Sequence, residues 1–128
     1  MNSKVIYISG PMTGYPKFNF PAFFEAERIL REVYPDSYII NPAAIDKLRG
    51  FDYENKNQLC HEELLVLRRD CIGRDFMLIL GNTPDIRVKE TCLIVLLEGY
   101  LASNGANLEL DLCRYLGWDL TSITKFIE

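Results

Sequence analysis

The sequence predicts one α/β domain spanning residues 1–128, doubly wound in the flavodoxin or Rossmann manner, with a parallel sheet of four or five strands. Three observations carry that expectation. Short apolar runs alternate with segments of helical period. Cys92-Leu93-Ile94-Val95-Leu96-Leu97 is apolar without interruption, as suits a strand covered on both faces. At 48% hydrophobic and 25% charged residues, the composition is that of a single globular domain. A chain of this length buries roughly two-thirds of the surface that its unfolded form exposes, and so needs no disulfide or metal to fold.

The elements follow in order. Val5-Ile6-Tyr7-Ile8 is β-rich and stops at Ser9-Gly10-Pro11-Met12-Thr13-Gly14, which is turn chemistry. A helix follows with Pro21 in its first turn. Ala22, Phe23, Ala26, Ile29, Leu30 and Val33 recur on one face, and Glu27 and Arg31 pair on the other. Pro35 ends it. Tyr38-Ile39-Ile40 reads as a second strand, closed by Asn41-Pro42. Ala43 to Gln58 has no clear period and reads as loop with at most one helical turn. His61 to Leu80 reads as a helix, weakened near its middle by Gly73. Gly81 to Asp85 is a turn, and the Cys92–Leu97 strand comes next. A helix from about Gly105 to Leu116 closes at Gly117, and Ile123 to Ile127 is expected as the last strand. Right-handed crossovers would set the first strand beside Cys92–Leu97 at the sheet centre. The crevice then falls between the loops after Ile8 and after Leu97, where such sheets take ligands.

Charge and composition remove several function classes. A net charge of −4 repels nucleic-acid backbones and anionic lipid, so no nucleic-acid or membrane partner is expected. No apolar run reaches the roughly 18 residues of a membrane span. Met1 leads almost directly into a strand pattern, which predicts no signal peptide and a cytoplasmic location. Cys60, Cys71, Cys92 and Cys113 form no Cys-x-x-Cys pair, and His61 is the single histidine. That supply predicts reduced thiols, no metal site and no cofactor. The absence of Gly-x-Ser-x-Gly argues against a Ser-His-Asp hydrolase.

Glu109 stands out because the period of its helix demands an apolar residue there. Ala106, Glu109, Leu112, Cys113 and Leu116 share one face, while Asn107, Asp111 and Arg114 lie on another. A buried carboxyl needs a partner. Glu109 is therefore either a group satisfied by local hydrogen bonds near a helix start or a reactive group beside the crevice. Ser103-Asn104-Gly105 opens that helix. It reads either as a plain N-cap or as an anion site made by free backbone amides. Gly10, Pro11 and Met12 either turn the chain or let a ligand approach it; the segment is neither a Walker motif nor Gly-x-Gly-x-x-Gly. Tyr7, read at the end of the first strand, is a core tyrosine or a hydroxyl reaching the crevice.

Four blocks in order carry a family resemblance: Tyr7-Ile8-Ser9-Gly10-Pro11-Met12-Thr13-Gly14, Asn19-Phe20-Pro21-Ala22-Phe23, Ile40-Asn41-Pro42-Ala43 and Ser103-x-Gly105-Ala106-x-x-Glu109. Together they resemble a family of small, often phage-encoded proteins of unassigned function. That family is similar to the nucleoside 2-deoxyribosyltransferases and the deoxynucleoside 5'-monophosphate N-glycosidases. Arg74-Asp75 also resembles an Arg-Asp pair on the family's middle helix. The resemblance implies a glutamate, here Glu109, that attacks C1' of a deoxyribose and expels the base, with Tyr7 orienting it. It implies a 5'-phosphate contact at Ser103, where free-nucleoside transferases tend to be acidic, and hence a nucleotide substrate. It also implies a homodimer or higher homo-oligomer; independently of the resemblance, Tyr100, Leu101, Leu110 and Trp118 are expected as apolar surface near the site. The sequence departs from the pattern where the superfamily places a proton-donating aspartate. Cys92 aligns there, or Thr91 on a one-residue slip, and Asp85 and Glu90 are the nearby carboxylates. Loss of an acid/base group costs about 10²–10⁴-fold in rate. The alternative function is thus a non-catalytic nucleotide-binding module that keeps the fold and crevice.

Overall fold

The computed structural model describes residues 4–12, 14–48, 60–84 and 91–127. Its order is β1 (Val5–Ser9), α1 (Phe20–Val33), β2 (Tyr38–Ile40), α2 (Pro42–Leu48), α3 (His61–Gly81), β3 (Cys92–Leu96), α4 (Asn104–Leu116) and β4 (Asp119–Ser122). The four strands form one all-parallel sheet in the order β2-β1-β3-β4. β1 and β3 are the central neighbours, with Tyr7 opposite Ile94 and Ser9 opposite Leu96. The winding reverses between them, which puts the switch point at their carboxyl ends.

Strand alternation sorts the core into two layers. Ile6 and Ile8 point to the face covered by α1, where Phe20, Phe23, Ala26 and Leu30 pack with Leu93, Val95 and Leu97. Tyr7, Ile94 and Leu96 point to the other face, against Ile79 of α3 and Leu110 and Cys113 of α4. β3 is buried at every position because it is covered on both sides. Gly10 lets the ends of β1 and β3 close up: a Cβ there would lie 2.7 Å from the Cβ of Leu97.

Two segments differ from the sequence expectation. Pro42–Leu48 is a helix, not loop. Asn41 accepts hydrogen bonds from the backbone of Ala43 and Ala44, and Pro42 occupies the first turn. The helix is too short to show a period in sequence. The last strand is Asp119–Ser122 rather than Ile123–Ile127, and Ile123–Phe126 is a 3-10 turn. The Ser122 hydroxyl accepts from the Thr124 amide and bends the chain. Ile123 then drops into the α1-side core, and Phe126 meets Tyr34 edge-on at 6.0 Å. Leu110 and Trp118 are buried, not surface as expected; the Trp118 indole donates to the Thr83 hydroxyl at 2.9 Å. No described helix is long and apolar enough to cross a membrane.

Candidate active site

A cavity of about 580 Å³ opens at the switch point, between the loop after β1, α3 and the start of α4. Gly10, Pro11 and Met12 line one side, Ser103, Asn104 and Gly105 another, and Glu109 and Asp75 the inner end. Apolar walls come from Phe18, Phe23, Leu67, Ile72 and Leu108. Phe18 lies in a run of left-handed backbone, with φ of 54°, 52° and 61° at Lys17, Phe18 and Asn19. Such a conformation disfavours non-glycine residues. The Asn19 amide braces the run by donating to the Pro11 carbonyl at 2.9 Å.

Glu109 is 6% exposed. The Ser9 hydroxyl donates to its Oε1 at 2.6 Å, and the Tyr7 hydroxyl donates to its Oε2 at 3.0 Å. Tyr7 and Ser9 are two apart on β1, so strand alternation delivers both hydroxyls to the α4 face. Tyr7 sits in the middle of β1 rather than at its end, because the strand continues to Ser9. Burial pushes the Glu109 carboxyl well above the ordinary carboxylate range, and the charge of Asp75 adds to it. Hydrogen bonds from Ser9 and Tyr7 draw it partly back. Burial also raises the Tyr7 phenol, with the charges of Glu109 and Asp75 acting the same way.

Asp75, from α3, is the second carboxyl of the site and interacts with both Glu109 and Tyr7. Its Oδ1 accepts from Arg74 Nε at 3.0 Å and Nη2 at 2.7 Å, and Arg74 also pairs with Asp46 of α2. Asp75 and Glu109 are both buried and line the same cavity, and the charge of Asp75 is one of the causes that raise Glu109. Cys92 stands at the opposite end of β3 from the cavity. Its buried Sγ faces the Asn82 carbonyl, and burial raises the thiol. Asp85 and Glu90 fall outside the described residues.

Ser103 caps α4, accepting from the Ala106 amide at 3.1 Å. Its hydroxyl proton is still available for donation. The Asn107 amide ties the preceding loop to the helix by donating to the carbonyls of Tyr100, Leu101 and Ser103. Ser103 at the helix start and Glu109 six residues on thus line one cavity, about a turn and a half apart.

Gly10, Pro11, Met12, Ser103, Asn104, Gly105 and Glu109 thus border the cavity and Tyr7 contacts Glu109, whereas Cys92 and Thr91 do not line it. Ser9, Asp75 and Asp46 were not singled out as site residues. Ser9 had a signal, the two-residue spacing from Tyr7. Asp75 had one in the Arg74-Asp75 pair. Asp46 had none, since its helix was read as loop. Among the described residues no group of three or more His, Cys, Asp or Glu side chains is placed to hold a metal ion.

The fold and the site define a doubly wound α/β domain with a buried carboxyl pair at its switch-point crevice. Residues 4–72 match the family described as a domain of unknown function, DUF4406, and the chain belongs to that family. The match takes in Tyr7, Ser9 and Asp46 and stops three residues before Asp75. No curated protein and no solved structure matches the chain.

Proposed function

We propose that this protein cleaves the N-glycosidic bond of a 2'-deoxynucleoside 5'-monophosphate through a glutamyl–sugar intermediate. The observation that carries the reading is the buried Glu109 carboxyl at the inner end of the cavity, held by two hydroxyls and faced by Asp75. An ionised Glu109 oxygen attacks C1'. The C1'–N bond breaks, its electron pair goes to the base, and the carboxyl proton of Asp75 neutralises the leaving nitrogen. Water, or a second base, then attacks C1' of the ester and frees Glu109, returning a proton to Asp75. The hydroxyls of Tyr7 and Ser9 fix the Glu109 oxygens and favour their charged form. The 5'-phosphate lies against the first turn of α4, where backbone amides and the Ser103 hydroxyl donate to it. Gly10, Pro11, Met12, Asn104 and Gly105 shape the remaining contacts.

The family resemblance further supports a homo-oligomer, most simply a dimer. Exposed Leu65, Val66, Met77, Leu80, Leu101 and Leu108 on and beside α3 and α4 offer apolar surface for it. Light scattering should give a dimer or larger at working concentration; a monomer counts against this part.

The deciding experiment incubates the protein with a panel of deoxynucleoside monophosphates, with and without free bases, and assays released or exchanged base. Turnover of at least one member is expected. If none turns over while calorimetry shows binding, the protein is a nucleotide-binding module and not an enzyme.

A further inference from the structure

α3 carries the same Arg-Asp dipeptide twice, one turn and a half apart. Arg69-Asp70 is an exposed pair, with side chains 74% and 62% accessible and 3.0 Å between them. Arg74-Asp75 is buried, with side chains 12% and 10% accessible. Among the described residues only the second pair has a third partner, Asp46, which reaches Arg74 from α2. The guanidinium places two nitrogens on one oxygen of Asp75 and a third on Asp46. A planar fork with both ends held leaves the Asp75 carboxyl little freedom to turn.

Resting on the glycosidase reading above, we propose that Asp46 and Arg74 are positioning residues: Asp46 anchors the Arg74 guanidinium, and Arg74 orients and polarises Asp75 opposite Glu109. Asp46 has a second effect. It takes part of the positive charge of Arg74, so Asp75 does not feel all of it. Asp46 thereby keeps the Arg74 charge from drawing the raised Glu109 carboxyl back down. The other titratable or hydroxyl groups facing the pair are Tyr7 and Ser9 from β1, Cys71 from α3 and Cys113 from α4. Burial holds the two thiols up at about 11 and about 12, so neither competes for the Glu109 proton at neutral pH.

The test follows the pair directly, by carboxyl ¹³C NMR titration of Glu109, and through the pH dependence of base release. Asp46→Asn is expected to lower the upper titration step and the basic limb by about one pH unit, because the full Arg74 charge then falls on the pair. kcat should drop about tenfold with little change in KM. Arg74→Lys, which keeps the charge but loses the fork, is expected to move the step upward. Asp46→Glu should restore the wild-type profile, and Asp70→Asn should leave it unchanged. A step that moves by less than about 0.2 pH unit in Asp46→Asn and Arg74→Lys overturns the proposal. Should Asp46→Asn not fold, Arg74→Lys decides by itself. Absence of base release by the wild-type protein overturns the glycosidase reading instead, since the NMR titration needs no substrate.

Discussion

The two walls of the cavity hold their carboxyls by opposite means. On the β1–α4 wall, Glu109 is held by two neutral hydroxyls, one on each oxygen. On the α3 wall, Asp75 is held by a guanidinium that is itself shared with Asp46. Hydroxyls orient a carboxyl without supplying charge, so burial dominates Glu109 and raises it. The guanidinium beside Asp75 grips one oxygen of that carboxyl with two nitrogens and is itself gripped by Asp46. The difference teaches how two chemically similar groups are held for the different roles proposed for them: neutral donors orient Glu109 without a counter-charge, while a charged fork fixes Asp75 opposite it.

Four experiments break or sharpen that contrast. Removing the nucleophile has the largest effect. Glu109→Ala should reduce base release by on the order of 10⁴-fold or more, with circular dichroism unchanged; turnover near the wild-type rate would falsify the mechanism. Removing the proton on the other wall costs less. Asp75→Asn should lower kcat by about 10²–10⁴-fold, with the smallest loss on substrates whose base leaves easily. Equal losses on easy and difficult leaving groups would show that Asp75 does not donate the proton.

The third experiment concerns the anion at the cavity mouth. A 5'-monophosphate should bind about 10- to 150-fold more tightly than its nucleoside, the worth of a charge-assisted hydrogen bond. Ser103→Asp should reverse this by repulsion. Ser103→Ala should weaken it, and the lost cap should also cost about 1 kcal/mol of stability. Calorimetry that finds equal affinity for nucleoside and monophosphate leaves Ser103 as a cap alone.

The smallest effect is on stability. The Glu109 carboxyl is raised in the folded state, so the native protein holds this proton more tightly than the unfolded chain does. Its stabilising contribution is complete below the ordinary value of 4.5 and is lost as pH rises through the raised folded value. Glu109→Gln cannot ionise. It should therefore melt a few degrees above wild type at pH 7–8, with the gap closing toward pH 4. A gap that is constant over this range would mean that Glu109 does not carry the linkage.

The sequence by itself determined the α/β class, the parallel central pair and the position of Glu109. These depend on local pattern. A β-rich apolar run in Val5–Ile8, an unbroken apolar run in Cys92–Leu97 and one polar residue on the apolar face of α4 are visible along the chain. Gly10, Pro11, Met12, Ser103, Asn104 and Gly105 are legible because they follow a strand's carboxyl end or open a helix, whereas Tyr7, read at a strand end, sits in the middle of β1. The topology must bring such places together.

Tertiary structure decided the rest. The expected final strand at Ile123–Ile127 became a turn because a single serine hydroxyl bends the chain and buries Ile123 elsewhere. Trp118 and Leu110, which resemble surface residues in a list of apolar positions, are buried because α3 and α4 cover that side of the sheet. Cys92 lies away from the cavity, and the second carboxyl there, Asp75, comes from another element. Asp75 lies 34 residues before Glu109 in the chain, and Asp46 lies 29 before Asp75. A side chain acquires partners at such separations only when helices pack across a sheet. The charge on a carboxyl depends on those partners, and no local pattern records them.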